Sequence, residues 1–456
     1  MDIPLTLQGQ KRVVIIGGGF AGLTLAKKLS PEYFQVVLLD RNNYHQFQPL
    51  LYQVATSGLE PSSISFPFRK IFQNKQNVFI RVAEVRKINS EQKYIETNIG
   101  NISYQYLVLA NGAETNYFGN DLLQQNAFSM KSVPEALLLR NTLLQNYEEA
   151  LVTNNEDERQ SLLNIVVVGG GPTGVELAGA LAEMKNIILP KDYPELNISG
   201  MNVYLSEAAP RVLNNMDKSS SDKAAGYLRY LGVTIITGAS VQQYDGQTVS
   251  LSNGQTLNAK CLIWAASVKG AYIEGVNQEL VLPNGRLKTN KYNRLGEQSD
   301  IFAIGDIACM TDDKYPKGHP QVAPVAIQQA KLLAKNLENL VLSKPLIPFQ
   351  YNDKGSMATV GRNYAIVEMG RVKIRGFIAW CIWLLVHLMS IVGIKNRLLV
   401  FINWVWQYIT YDQSLRLIIK AKEKETIVNH AHYTSHRIKM CKEVSRKGAK
   451  PPRIMN

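Results

Sequence analysis

Closely spaced glycines follow two apolar runs of the chain, in a pattern that binds phosphate. Residues 13–16 lead into Gly17-Gly18-Gly19-Phe20-Ala21-Gly22, and residues 165–168 lead into Gly169-Gly170-Gly171-Pro172-Thr173-Gly174. Each satisfies G-x-G-x-x-G between a strand and a helix, where glycine lets the backbone approach a pyrophosphate and the helix N-terminus faces its charge. Two such motifs predict two dinucleotides on one enzyme, usually FAD and a nicotinamide cofactor; the alternative is two ordinary strand-turn-helix corners.

A carboxylate ends the next apolar run after each motif. Asp40 closes the first of these runs, and Glu207 closes the second after a longer connection. A carboxylate at this place hydrogen-bonds the ribose of a bound dinucleotide, and it repels a 2′-phosphate, so Glu207 favours NADH over NADPH. Arg211 is near enough to leave that preference open, and each carboxylate could instead be a solvated strand end.

Length and composition predict a globular protein of two or three domains. The chain has 456 residues, of which 46% are hydrophobic and 19% are charged, enough for large cores. The start of the chain shows no basic segment followed by an apolar one, so we expect no signal peptide. The four cysteines have no metal-ligand or disulfide spacing, so we expect no metal site and a reducing compartment. They are Cys261, Cys309, Cys381 and Cys441.

The strand pattern repeats, which predicts an α/β fold with two Rossmann-like dinucleotide-binding domains, one for FAD and one for NADH. The composition of the C-terminal region, described below, adds a membrane-associating helical segment. Each half has a glycine motif, an acidic strand end, a short meander and an apolar strand that ends in small residues. A further apolar strand ends at Gly305-Asp306 and returns the chain to the first domain. The predicted boundaries are 1–118 and 296–345 for the FAD-binding domain, 119–295 for the NADH-binding domain, 346–420 for a β segment with interfacial helices, and 421–456 for a basic, disordered tail.

Positive charge is concentrated at the C-terminal end. The chain has a net charge of +13, and residues 371–456 contain 16 Lys/Arg against 4 Asp/Glu. The same region holds Trp380, Trp383, Trp404 and Trp406. Basic and Trp-rich apolar segments are typical of a membrane surface.

Two apolar runs in this region, 377–392 and 398–409, are each shorter than the roughly 20 residues that span a bilayer. Asn396, Asn403 and Gln407 fall on one stripe of a helix. We therefore expect two helices that lie in the membrane interface without crossing it; the alternative is a helical hairpin packed on the core or on a dimer partner.

The order of several motifs resembles that of the two-dinucleotide-binding flavoproteins, and among them the type II NADH dehydrogenases, which are single-chain NADH:quinone oxidoreductases. The resemblance covers nearly the whole chain. It rests on residues 44–55, 174–179, 303–306, 323–329, 376–380 and 396–399.

The resemblance implies roles for particular residues. Gly305 and Asp306 would bind the ribityl chain, and the loop around Pro49 would lie along the isoalloxazine. Glu176 would face the flavin and hydrogen-bond the nicotinamide or relay a proton, while Gln328 and Gln329 would face the quinone side. The predicted FAD-binding residues are Gly17, Gly18, Gly19, Phe20, Ala21, Gly22, Asp40, Arg41, Pro49, Val85, Ala110, Gly112, Gly305, Asp306, Ala323, Val325 and Ala326. The predicted NADH-binding residues are Gly169, Gly171, Gly174, Glu207 and Ala266.

The residue types alone also allow interpretations of these positions without a catalytic or binding role. Glu176 lies on an otherwise apolar segment, where a carboxylate either faces the cofactor cleft or is costly to bury. The alternative is a solvated residue in the first turn of the helix, where the helix dipole favours a negative charge. Gln328 and Gln329 could be ordinary helix surface, and His45 reads as a packing residue of its loop.

The function predicted from the sequence is electron transfer from NADH through non-covalent FAD to a membrane quinone, without proton pumping. The enzyme would be peripheral on the cytoplasmic face of the cell membrane, bound through residues 371–420, with a homodimer left open and no nucleic acid as partner. The alternative is a soluble reductase of an iron–sulfur or other redox protein on the same fold. Disulfide and sulfide:quinone reductases need reactive cysteines, which this spacing does not offer.

Overall fold

The computed structural model describes residues 9–296, 300–412 and 415–419. The tail at 421–456 lies outside the described residues, so its predicted disorder stays a prediction.

Strands make up three groups that follow one another along the chain. The first group is β1 (Lys11–Ile16), β2 (Phe34–Asp40), β3 (Tyr44–Gln46), β4 (Ser65–Pro67), β5 (Val78–Val82), β6 (Val85–Asn89), β7 (Tyr94–Thr97), β8 (Gly100–Ser103), β9 (Tyr106–Leu109) and β10 (Ala113–Thr115). The second is β11 (Ile165–Val168), β12 (Val203–Glu207), β13 (Val233–Thr237), β14 (Val241–Tyr244), β15 (Thr248–Leu251), β16 (Thr256–Asn258), β17 (Cys261–Trp264) and β18 (Val268–Gly270). The third is β19 (Leu287–Lys288), β20 (Ile301–Ala303), β21 (Ala308–Cys309), β22 (Ser356–Thr359), β23 (Ala365–Met369) and β24 (Val372–Arg375).

Helices connect these strands and close the chain. They are α1 (Phe20–Lys28), α2 (Leu51–Ala55), α3 (Pro61–Ile64), α4 (Phe68–Ile71), α5 (Asp121–Asn126), α6 (Val133–Val152), α7 (Glu156–Leu163), α8 (Pro172–Glu183), α9 (Leu189–Asp192), α10 (Lys218–Tyr230), α11 (Ala323–Val341), α12 (Phe377–Ser390) and α13 (Ile394–Thr410).

Two parallel sheets carry the two glycine motifs. The first has the order β20-β9-β1-β2-β5, and the second has the order β13-β12-β11-β17. In both, the strand before the glycines lies between the acid-ended strand and the apolar strand that follows the meander. Their central strands are nearly all apolar and buried, as expected for a parallel sheet covered on both faces. The predicted α/β fold with two Rossmann-like units is confirmed.

A small antiparallel sheet accompanies each of the two parallel sheets. A three-stranded meander, β6-β7-β8, follows the first, and a second one, β14-β15-β16, follows the other. The strand that ends before Gly305 pairs with β9 of the first sheet, so the chain returns there as its sequence suggested. A third antiparallel sheet, β22-β23-β24, precedes the last two helices.

The two C-terminal helices each have one face on the protein and one face in solvent. α12 packs on β23 and β24, where Ala379 and Trp383 are buried, and α13 packs on α3, where Asn396 and Val400 are buried. Ala379, Trp383 and Val400 belong to the same apolar core as α6 and α8. The packing on the core is therefore confirmed, whereas contact of the exposed apolar side chains with a membrane interface stays a prediction.

None of the described helices is long and apolar enough to cross a bilayer.

Candidate functional site: two dinucleotide cradles and a buried carboxylate

The first glycine turn is shaped so that larger residues are excluded at two places and admitted at a third. Gly17 has φ of 99°, and a Cβ there would lie 2.4 Å from the Ala110 carbonyl oxygen. A Cβ at Gly22 would lie 1.8 Å from the Gly17 oxygen, so both positions require glycine. Gly19 has an ordinary extended conformation and nothing within 4 Å of its Cβ position. The turn therefore leaves an open space at the start of α1, where a pyrophosphate would be bound.

Asp40 is held beside this turn by two backbone N–H groups. Gly18 donates to one carboxylate oxygen at 2.7 Å, and Asn42 donates to the other at 2.8 Å. Burial raises the pKa of Asp40 above its ordinary value, and these two bonds lower it in part. The carboxylate thus stands at the end of β2, beside the glycine turn, as a ribose site requires. Arg41 follows it and is exposed.

The second glycine turn repeats the first. Gly169 has φ of 109°, and its Cβ would lie 2.6 Å from the Cα of Ala266. Gly171 has nothing within 4 Å of its Cβ position, as at Gly19. Glu207 accepts hydrogen bonds from the N–H groups of Gly170 and Ala209, which matches the arrangement at Asp40. Gly174 also repeats its counterpart, since its Cβ would lie 1.8 Å from the Gly169 oxygen.

We call the glycine turn at 17–22 with Asp40 the first cradle, and the turn at 169–174 with Glu207 the second cradle. Gly305 joins the returning strand to the first cradle. With φ of 75°, it places its Cβ position 3.3 Å from the Cβ of Ala21 and 3.4 Å from that of Ala326, so the turn lies between α1 and α11. Its N–H donates to the side-chain oxygen of the buried Gln329 at 2.8 Å. The structure therefore brings Ala21, Gly305, Ala326 and Gln329 together.

Asp306 follows in a largely buried position. Burial raises the pKa of Asp306, whereas the positive charges of Lys131 and Arg286 lower it. Arg286 is itself buried and donates to the backbone oxygens of Ala308 and His319 at 3.1 Å and 2.9 Å. Sequence reasoning missed both cations, because each is distant in the chain and belongs to no motif.

Gln328 is separated from this group although it is next to Gln329. Its amide donates to the Asn352 oxygen at 2.9 Å and accepts from the Asn352 N–H at 3.0 Å. It therefore holds the extended segment after α11, and its predicted contact with quinone stays a prediction.

The 44–55 loop packs against the first cradle. Phe20 makes edge-on contacts with His45 and Phe47, at centroid distances of 5.4 Å and 5.8 Å. His45 is buried with Nδ1 3.0 Å from the Gly18 oxygen, and burial lowers its pKa to about 4. This agrees with a packing role for His45. Pro49 is half-buried in a single 3₁₀ turn, Gln48–Leu50.

The other predicted FAD and NADH contacts lie on the strands and turns around these cradles. Ala110 is buried directly after β9, and Val85 is half-buried at the start of β6. Gly112 has φ of 73°. At the start of α11, Val325 is buried and Ala323 is half-buried, while Ala266 beside the second turn is exposed.

Glu176 is buried and faces the C-terminal segment. Its side chain is on α8, directly after the second cradle, and is 7% exposed. One carboxylate oxygen accepts a hydrogen bond from Trp383 Nε1 at 3.0 Å and a longer one from the Thr359 N–H at 3.4 Å. Burial raises the pKa of Glu176 to about 8, although both hydrogen bonds oppose the shift. The solvated alternative for Glu176 is therefore wrong, and its role toward a flavin stays a prediction.

Trp383 donates to Glu176, whereas the sequence placed this tryptophan in a region typical of a membrane surface. It is 1% exposed and belongs to the core, and Trp404 donates to Gln53 at 2.8 Å. Among the four C-terminal tryptophans, Trp406 is the most exposed, at 60%. Two of the four tryptophans therefore supply N–H donors to side chains of the protein, and the membrane contact of this region stays a prediction.

The residues present fit two dinucleotides. Each turn leaves open space where a Cβ would project, each has a fixed carboxylate within reach of its glycines, and each opens a helix. This pairing of donors, space and negative charge is what a pyrophosphate with its ribose needs.

Comparison with known proteins gives consistent matches over most of the chain. Residues 11–330 match the family model for pyridine nucleotide-disulphide oxidoreductases, and residues 354–410 match the NDH2 C-terminal domain. A type II NADH:quinone oxidoreductase of Mycobacterium tuberculosis is 36% identical over 88% of this chain and 88% of its own length. A second one from that organism is 33% identical over the same shares of both chains.

Solved structures show the same fold. NDH2 of Plasmodium falciparum, solved in complex with NADH, has a TM-score of 0.82 at 21% identity and covers 90% of this chain and all of its own. A sulfide:quinone oxidoreductase of Aquifex aeolicus has a TM-score of 0.66 at 20% identity over 88% of this chain and 96% of its own.

Proposed function

The chain belongs to the type II NADH:quinone oxidoreductases within the pyridine nucleotide-disulphide oxidoreductase family, and from this we propose that it passes electrons from NADH through one non-covalent FAD to a membrane quinone, without pumping protons. The observation that carries the proposal is the pair of matching cradles, each with open space at a helix start and a fixed carboxylate. A bound flavin supplies the chemistry, because it accepts two electrons as hydride and releases them one or two at a time.

The first cradle takes FAD and the second takes NADH in this proposal. The FAD-binding domain then comprises 1–118 and 296–345, supported by the pairing of β20 with β9, and the NADH-binding domain comprises 119–295. Gly305 and Asp306 close the first cradle from the returning strand. The chain's contribution is to hold the two ligands in fixed positions, which hydride transfer requires.

The membrane is the proposed location of the electron acceptor. The exposed faces of α12 and α13 are apolar, with Ile394 84% exposed and Ile409 72% exposed. A soluble reductase has no use for such a surface, so this observation favours the quinone reductase over the soluble alternative. We place the enzyme as a peripheral protein on the cytoplasmic face, and a homodimer stays a prediction.

The direct test is an anaerobic titration of the purified yellow protein. NADH is added first, and the flavin absorbance is expected to bleach with one equivalent. A water-soluble quinone analogue is then added, and the absorbance is expected to return. If NADH bleaches the flavin and no quinone restores its absorbance, the enzyme passes its electrons to a different acceptor.

Glu207 is expected to make the enzyme select NADH. A 2′-phosphate would meet a carboxylate already fixed by two N–H groups, and like charges in such contact cost several kcal/mol. We expect kcat/KM for NADH to exceed that for NADPH by about 100-fold or more, a difference of roughly 3 kcal/mol. In Glu207→Gln the ratio should fall at least about tenfold.

Arg211 provides the control for this prediction. The Arg211 guanidinium donates to the side-chain oxygen and to the backbone oxygen of Asn214, at 3.1 Å each, so it is already engaged by another residue. Arg211→Ala should leave the cofactor ratio unchanged. If the wild type instead prefers NADPH and Arg211→Ala abolishes that preference, Arg211 binds the 2′-phosphate.

Glu176→Gln should change turnover and pH dependence while the fold is retained. The oxygen that accepts from Trp383 and Thr359 has an equivalent in the amide, so both hydrogen bonds can persist. With a pKa near 8, Glu176 is largely protonated at neutral pH and can release a proton, which glutamine cannot. We expect full flavin content with slower reduction by NADH or slower quinone turnover.

The same variant gives a stability readout with a definite sign. The folded-state pKa of Glu176 is raised from 4.5 to about 8, so the wild type loses stability as the pH rises through that window. Glu176→Gln should not lose stability in this way. The free energy of unfolding of the variant, relative to that of the wild type, should therefore increase by up to about 1.4 kcal/mol per pH unit. Urea unfolding at pH 5.5 and pH 7.5 measures this. Parallel curves for both proteins would mean that Glu176 is charged in the folded state.

A further inference from the structure

His387 is a polar ring on a helix that is otherwise nearly all apolar. The only polar residues of α12 are His387 and Ser390, and His387 is half-buried. Its Nδ1 lies 2.8 Å from the Trp383 oxygen. A carbonyl oxygen only accepts, so Nδ1 carries the hydrogen and Nε2 of the neutral ring carries a lone pair.

The His387 ring is fixed from two sides. It stacks on Trp383 with a centroid distance of 3.9 Å and an angle of 22°, and it meets Phe47 edge-on at 6.2 Å. Trp383 is fixed in turn by its hydrogen bond to Glu176. The direction of Nε2 is therefore set by packing.

Nε2 is an acceptor that lacks a donor. Among the residues that the structure describes, none donates to this atom. Burial lowers the pKa of His387 to about 4, so the ring is neutral at pH 7. Nε2 is not sealed inside the protein, so a hydroxyl of a bound ligand can reach it and donate to it.

The position of His387 suits a lipophilic ligand. Leu385, Val386 and Met389 of the same helix are exposed, and Phe47 belongs to the 44–55 loop that packs on the first cradle. His387 therefore stands where the exposed apolar face of α12 meets that loop.

We propose, on the premise of the function proposed above, that Nε2 of His387 accepts a hydrogen bond from the ring hydroxyl of the reduced quinone. A quinone carbonyl has no hydrogen to donate, whereas a hydroquinone hydroxyl does. His387 is then a specificity residue for the product: it favours the hydroquinone over other head groups of the same size.

The test compares two ligands and four proteins. The ligands are a short-chain alkyl hydroquinone and its dimethyl ether, which cannot donate. The proteins are the flavin-loaded wild type, His387→Phe, His387→Gln and Ser390→Ala. Phenylalanine keeps the stack on Trp383, glutamine offers an acceptor near the place of Nε2, and Ser390 is an exposed residue of the same helix. Dissociation constants come from quenching of tryptophan emission in the resting protein.

We expect the wild type and Ser390→Ala to bind the hydroquinone about 3- to 10-fold more tightly than the ether. His387→Phe should lose this ratio, and His387→Gln should restore part of it. An unchanged ratio in His387→Phe, or equal weakening of both ligands, would overturn the proposal. Failure of the proposed function is seen separately, as a wild type that NADH bleaches and no quinone reoxidises.

Discussion

Gly19→Val is expected to give a folded, colourless protein. The Cβ position of Gly19 has nothing within 4 Å, and its φ of −66° suits any residue, so the side chain fits the free protein without strain. The same side chain would fill the space that a pyrophosphate needs at the start of α1. We expect flavin content to fall below about a tenth of the wild type, a loss of well over 1.4 kcal/mol in binding. Absorbance at 450 nm per protein, with circular dichroism for the fold, measures it.

Gly171→Val is the matched control at the second cradle. Its φ is −72° and its Cβ position is equally open. This variant should purify yellow with full flavin content and should not be bleached by NADH, while dithionite still reduces it. The assignment of the cradles would be reversed if Gly171→Val were the colourless protein, and it would fail if both variants kept flavin and NADH reduction.

The predictability of the fold follows from local and repeated signals. Buried strands such as Ile165–Val168 are continuous apolar runs, and the glycines after them meet strict steric limits, so both are visible in a single sequence. The acid-ended strands were likewise placed correctly beside the glycine turns at Asp40 and Glu207. Each of these features depends on neighbours within one strand-turn-helix unit.

The candidate site was less predictable where it depends on distant contacts. Glu176 and Trp383 are 207 residues apart and meet because β22 packs on α8 and α12 packs on β22. Neither residue type nor spacing could show that Trp383 supplies a donor to a buried carboxylate. The adjacent Gln328 and Gln329 also looked equivalent in sequence, yet one binds the Asn352 backbone and the other binds Gly305.

The polar stripe on α13 was recognised, but its direction needed the structure. Asn396 donates to the Ser62 and Ser65 oxygens, and Gln407 donates to the Gly58 oxygen. Helices on a soluble protein usually turn their polar side to water. Here the polar side chains satisfy backbone groups of the protein, and the apolar side faces outward.

This inversion argues against testing the membrane contact by truncation. Removal of residues from 371 onward would delete β24, α12 and α13, and with them Trp383 and Val400 of the core. The Glu176 carboxylate would lose its cover. Loss of membrane binding in such a protein could reflect damage to the fold.

Substitution of exposed residues on α13 is expected to release the protein from membranes without this damage. The variant carries glutamine at four exposed positions: Ile394, Leu398, Ile402 and Ile409, which are 84%, 57%, 52% and 72% exposed. Burying each such side chain in lipid contributes about 1 to 2 kcal/mol, so the four together should lower the vesicle partition coefficient by at least about 100-fold. Sedimentation with anionic vesicles measures it.

The matched control carries Leu138→Gln and Val152→Gln on α6, where the side chains are 57% and 78% exposed but far in sequence from the C-terminal helices. It should sediment as the wild type does. In the α13 variant, NADH oxidation by ferricyanide should persist while reduction of a long-chain quinone in vesicles falls, because the acceptor resides in the bilayer. The basic residues near the C-terminus add about 1 kcal/mol each at an anionic surface. The α13 variant could instead sediment as fully as the wild type at low salt and fail to sediment at high salt. That result would show that charge, and not the apolar face, binds the enzyme to the membrane.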